Sequence, residues 1–319
     1  MSRLGNPEFG CVAVEFPTAS AHGSRQEHHV GKPPTAERRQ PEAPSATEVA
    51  FGLRLSPVSE SFEPTALERL LAREHMGAVA SLLVLTIVSW AWIVPMAHDM
   101  YGPMTGPSAW MMRTVWDGPH LMLLWAMWAV MMAAMMLPSA TPMLLFYGGA
   151  LRRSGTPHAL RRVYAMAAGY LLVWSLFSVA ATMLQRALSA MLLLTPMMET
   201  ASPSATAALL LIAGLYQLTP LKGACLRSCR SPFALLMQGG RGGARGAFEM
   251  GVAHGVSCLG CCWALMLLLF AGGVMNLYVI GALTVFVMIE KVTPFGIYAS
   301  RAAGVLLIAL AIWLLAAQM

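Results

Sequence analysis

The sequence predicts an all-α protein, a polytopic transmembrane helix bundle of about seven spans with its N-terminus in the cytoplasm. Three observations lead there. Hydrophobic residues make up 57% of the chain and charged residues 11%, a balance outside the range of ordinary soluble domains. The apolar residues gather into segments close to the roughly 20 residues a helix needs to cross a hydrocarbon core. Lys and Arg in the intervening connections alternate between several and few, as in a chain threaded back and forth through a bilayer. The net charge of +6 sits in the N-terminal tail and in short loops beside apolar spans, so it serves topology, and no RNA- or DNA-binding motif accompanies it.

Residues 1–65 are rich in Pro, Ser, Glu and Arg and carry no apolar period long enough for a core. They are expected to be a disordered tail, with no removable signal peptide, preceding a transmembrane metal-binding domain over 66–319. Cys11, His28 and His29 are isolated donors in that tail and are expected to be idle. A short basic amphipathic lead-in, ALERLLAREHM, reaches the first span. The predicted spans run approximately Met76 to Ala97, His120 to Gly149, Val163 to Leu184, Ser204 to Leu218, Gly246 to Ala271, Met275 to Ile289 and Ala302 to Gln318. The fourth and sixth are short. Arg69 and Arg73, then Arg152, Arg153, Arg161 and Arg162, then Lys222, Arg227, Arg230, Arg241 and Arg245, then Lys291 and Arg301 mark one side; only Arg113 and Arg186 lie on the other. The positive-inside rule makes the first side cytoplasmic.

Methionine is over-represented, with 25 residues concentrated between Met96 and Met143. The connection from His98 to Gly118 lies outside on this topology and holds His98, Asp99, Met100, Met104, Met111 and Met112, a thioether-rich entrance. In the second span Met127, Met131 and Met135 form one helical stripe, and Met132, Met136 and Met143 another. One stripe is expected to be packing, since Met is common apolar filler. Pro138 removes the donor for the carbonyl of Ala134 and kinks the helix; Ser139 is placed to help satisfy it.

Six cysteines are too few for a disulfide scaffold in a chain of this length, and five fall in two short clusters. In the cytoplasmic connection, Cys225 and Cys229 are four apart, on one face if the turn is helical, beside Lys222, Arg227 and Arg230, whose charge favours thiolate. The Gly-rich run GGRGGARG lacks a Walker ending and reads as a basic hinge. In the fifth span, Met250, His254, Cys258, Cys261 and Cys262 fall within about 120° of one another on a helical wheel. Imidazole and thiol groups inside a membrane helix are costly to place and mark function by default. Thiolate, thioether and imidazole describe a soft-metal site, with Cu(I) favoured by the thioether and Zn(II) also accommodated. Glu290 and Lys291 close the sixth span, where a snorkelling Lys is the ordinary reading. The seventh span carries no strongly polar side chain before Gln318 and reads as a packing helix.

The blocks WAVMMAAMMLPSATPM, YQLTPLKGACLRSCRSP, GAFEMGVAHGVSCLGCCWALM, GVMNL and IEKVTPFG resemble a bacterial family of integral membrane proteins expected to bind metal, some members of which look like copper chaperones for tyrosinase-type enzymes. The resemblance covers about Met76 to Gln318 and leaves the tail outside. It implies a multi-pass protein of the bacterial inner (cytoplasmic) membrane, surrounded by lipid, that handles copper and has a cuproenzyme partner. The matched positions are Met131, Met132, Met135, Met136, Cys225, Cys229, His254, Cys258, Cys261 and Cys262. On this reading the chain is a binding protein and not an enzyme. A second reading is a membrane thiol–disulfide oxidoreductase in which Cys258 with Cys261 or Cys262 exchanges electrons with the cytoplasmic pair; it leaves the methionines unexplained. A third is a structural subunit with incidental cysteines.

Overall fold

The computed structural model describes residues 66–102, 109, 116–195, 198–231 and 243–318. The expected tail, with Cys11, His28 and His29, lies outside these residues, as do Met104, Met111 and Met112 of the outer connection and the first part of the Gly-rich run. Among the described residues the chain forms nine helices: α1 (Ala66–Met100), α2 (Gly118–Arg153), α3 (Ala159–Ala190), α4 (Pro203–Gln217), α5 (Pro220–Arg230), α6 (Gly243–Met266), α7 (Leu268–Gly272), α8 (Leu277–Val292) and α9 (Gly296–Ala316). No strand occurs among these residues, only an isolated antiparallel bridge between Leu194 and Thr200. The all-α class is as the sequence predicts.

Five stretches are long and apolar enough to cross a membrane: Met76–Met100, Gly118–Arg153, Ala159–Ala190, Gly243–Gly272 and Gly296–Ala316. The pair α4 and α5 adds a sixth only if it crosses as one span, because the two axes are bent by 64°. The expected count of about seven is thus not reached by length and composition. The 16 residues of α8 rise about 24 Å at 1.5 Å each, short of the roughly 30 Å hydrocarbon core. These long apolar helices are those of a multi-pass membrane protein. Leu83, Val84, Ile87 and Val88 of α1 and Val305, Leu306, Ile312 and Trp313 of α9 stay exposed on its outside.

Helix starts follow the sequence closely. Asp117, Ser202 and Thr219 cap α2, α4 and α5, each accepting a backbone N–H from the first turn, with a Pro in that turn. Within the bundle, hydroxyls are used up locally: Ser81, Thr86 and Ser89 of α1 donate to carbonyls three or four residues back. The carbonyl of Ala134, freed by Pro138, accepts instead from the indole Nε1 of Trp90 on α1, at 3.2 Å. Ser139, expected to serve it, donates to the carbonyl of Met136 at 2.9 Å, because its hydroxyl reaches only three residues back along its own helix.

Two helix pairs approach closely through glycine. On α3 and α6, a Cβ added at Gly169 would strike the carbonyl of Phe248, and one at Gly251 the carbonyl of Met166; at Gly255 it would lie 2.9 Å from Val173. Small residues four apart on α6 let the backbones touch, the usual membrane packing device. Gly214 and Gly304 do the same for α4 and α9, where a Cβ on Gly214 would lie 2.9 Å from the Gly304 carbonyl. One turn further along the same contact Ser300 donates to Gln217 Oε1 at 3.0 Å, and beside it Arg230 of α5 donates to the carbonyl of Thr293 at 2.6 Å. The corners α4–α5 and α8–α9 are therefore tied together. Near the opposite end, Tyr101 donates to Glu199 at 3.2 Å; burial, then the nearby carboxylate, pushes its phenol above the usual range.

Candidate metal centre

The α3–α6 contact decides where the cysteines go. By bringing the two backbones together it turns one face of α6 inward, and His254, Cys258, Cys261 and Cys262 are all buried there, the three thiols completely. The inward stripe predicted from helical spacing is present. Its members do not share one environment. Met250 packs with Met143, Tyr147, Val163 and Met166 in a separate apolar cluster, whereas Cys258, Cys261 and Cys262 belong to the main core with Met131, Met132, Met135 and Met136. Met250 lies two turns of helix below Cys258, about 12 Å at 1.5 Å per residue, and its thioether is set apart from the thiols.

Cys258 is the hub. Its Sγ lies 2.7 Å from Nζ of Lys291 on α8 and 3.0 Å from the hydroxyl of Tyr170 on α3. Cys261 and Cys262 turn back on their own helix, donating to the Cys258 carbonyl at 3.0 and 2.9 Å. From α5, Cys229 lies beside the side chains of Cys258 and Cys261, while Ser228 and Ser257 meet at 3.3 Å. Four thiols from two helices thus come together. All four are free, unlike Cys225, which is buried on the same helical turn as Cys229 but is disulfide-bonded. The two cysteines were expected to share one helical face as thiolates; they share the turn, but Cys229 is free and Cys225 is disulfide-bonded.

His254 is buried and its ring lies against that of Tyr170, centroids 5.5 Å apart and planes 30° apart. Of the methionines, Met136 comes nearest to the polar group at the centre, its Sδ 4.0 Å from Lys291 Nζ. Met131, Met132 and Met135 are fully buried in the surrounding core, so both stripes of α2 face inward. Among the described residues, no three His, Cys, Asp or Glu side chains form a ready-made metal cage. The donors that do converge are sulfurs, from cysteine and methionine, around an ammonium group.

Sequence reasoning missed that ammonium. Lys291 was expected to snorkel to the interface; instead it is buried, and besides Cys258 it donates to Ser139 Oγ at 3.1 Å. Its neighbour Glu290 pairs with Lys222 of α5 through two contacts of 2.9 and 3.0 Å, both side chains 1% exposed. The available signal was adjacent Glu and Lys closing an apolar segment, since ionisable groups in such a place mark function. Tyr170 gave no such signal, because one Tyr among many apolar residues reads as packing.

A family model described as PpoB2, copper chaperone, matches residues 125–314. The chain belongs to this copper-chaperone family. The matched stretch runs from α2 to α9 and contains Met131, Met132, Met135, Met136, Cys225, Cys229, Met250, His254, Cys258, Cys261, Cys262 and Lys291, so the geometry above lies wholly within the copper-chaperone region. No curated protein and no solved structure matches the chain. Copper handling is therefore the role that the family gives it, and sulfur ligands are the kind that a soft ion such as Cu(I) selects.

Proposed function

We propose that this chain is an integral protein of the bacterial cytoplasmic membrane, N-terminus inside, that accepts Cu(I) from its methionine-rich outer side, holds it on sulfur within the bundle and passes it to a cuproenzyme. The one observation that supports this above others is the meeting of Cys229 on α5 with Cys258 and Cys261 on α6. Cu(I) is satisfied by two or three soft donors, so it does not need the cage of hard and borderline ligands that Zn(II) prefers. Cys258, Cys229, Cys261 and Cys262 are the thiol ligands. Met136 is the nearest thioether, with Met131, Met132 and Met135 behind it as a path for ligand exchange. His254 borders the site, and Met250 packs apart from it in the neighbouring apolar cluster. The copper-handling domain spans residues 66–319.

Thiol–disulfide exchange gains no support from the geometry. Cys258, Cys261 and Cys262 are free, and the last two direct their S–H groups to a backbone carbonyl. The test is anaerobic Cu(I) titration of the detergent-purified chain against a competing chelator. Tight binding that weakens at least about 100-fold, or some 2.7 kcal/mol, in Cys258→Ser/Cys261→Ser/Cys262→Ser supports the proposal. Unchanged stoichiometry and affinity in that variant would contradict it.

A further inference from the structure

The ammonium of Lys291 occupies an unusual position. A buried lysine ordinarily finds a carboxylate, yet Lys291 lies against a thiol sulfur at 2.7 Å, a hydroxyl at 3.1 Å and a thioether at 4.0 Å. Thiol and thioether sulfurs are weak hydrogen-bond acceptors but good ligands for a soft ion. The adjacent carboxylate, Glu290, is committed to Lys222 by a two-oxygen contact, which leaves Lys291 to the sulfurs. Its partners also come from two other helices, Cys258 from α6 and Met136 and Ser139 from α2, so that the contact joins three helices with Lys291 itself on α8. A positive group there holds together the same atoms that a bound cation would.

We infer that Lys291 is a stand-in cation, holding the place between Cys258 and Met136 that Cu(I) takes, and leaving it when copper is loaded. The inference rests on the copper reading of this site. Loading breaks the N–H···S hydrogen bond from Lys291, and the Cys258 thiol gives up its proton to solvent as its sulfur forms the Cu–S bond; no electron changes hands. Two cations cannot both face one sulfur in a low-dielectric interior without strong repulsion. The four-carbon stem of Lys lets the ammonium swing away while the backbone stays, and Lys291 is in the last turn of α8, directly before the Thr293 corner. Lys222 has no such freedom, being held by Glu290 on two oxygens.

The test is amine acylation of the wild-type chain, empty and loaded with Cu(I), read residue by residue by mass spectrometry. Labelling of Lys291 is expected to rise at least about fivefold on loading, as the ammonium leaves its buried partners, with Lys222 unchanged as the internal control. Equal labelling of Lys291 in the two states would overturn the inference. As a second measurement, Lys291→Leu removes the competing cation without adding a ligand and is expected to bind Cu(I) about tenfold tighter. Binding no tighter than wild type overturns the inference, and weaker binding is what a merely structural Lys291 gives. Failure of the wild-type chain to bind Cu(I) at all sinks the copper reading itself, and that result is distinct from copper binding with an unmoved Lys291.

Discussion

Removing Lys222 probes how the short helices are held. Its ammonium sits 2.9 and 3.0 Å from the two oxygens of Glu290, and both side chains are 1% exposed. Lys222→Met keeps the apolar stem and deletes the charge, so Glu290 is left as a buried carboxylate without its partner. Breaking such a pair from one side costs about 3–5 kcal/mol, while replacing both members by apolar residues of similar size is often near neutral. The single variant is therefore expected to lower the midpoint of thermal unfolding in detergent by on the order of 10 °C. Lys222→Met/Glu290→Leu is expected to recover most of that loss. The assay is intrinsic tryptophan fluorescence against temperature for the wild type, both single variants and the double variant. A single-variant loss under about 1 kcal/mol, the range of an exposed pair, would refute the view that this pair fastens α5 to α8.

Other substitutions test neighbouring parts of the account. Gly251→Leu forces a side chain into the Met166 backbone and is expected to abolish folded, monodisperse protein on size-exclusion chromatography, because backbone cannot give way as a flexible side chain can. Trp90→Phe leaves the Ala134 carbonyl without its indole donor and is expected to cost about 1–3 kcal/mol by thermal melting. Met136→Leu is expected to weaken Cu(I) binding about tenfold in chelator competition. In the same assay Met250→Leu is expected to leave binding within about twofold, since Met250 packs in a different cluster.

Helix class and the inward face of α6 were readable because each depends on local rules of hydropathy and 3.6-residue spacing. The span count was not. Whether Ser204 to Leu218 crosses alone or bends at Thr219 into a second helix depends on packing against α9, which hydropathy does not record. The cysteine stripe was legible as a face, but a face is one-dimensional: it grouped Met250 with Cys258, although two turns of helix carry Met250 into another cluster. Lys291 was misjudged for a related reason. Snorkelling assumes that a route to water is open, and here Tyr170, Ser139 and Cys258 from three other helices close around the ammonium. Trp90 serving Ala134 joins α1 to α2 across 44 positions, a pairing that single-sequence patterns do not reveal.

The most direct measurement is the number of sulfur atoms bound to copper in the anaerobically loaded wild-type chain, obtained by X-ray absorption at the copper edge. Two or three sulfurs, dropping when Cys258 is replaced by Ser, are expected if the ion sits among the thiols of α5 and α6 and the thioether of α2. Copper held only by nitrogen and oxygen, with a spectrum indifferent to Cys258, would contradict the account.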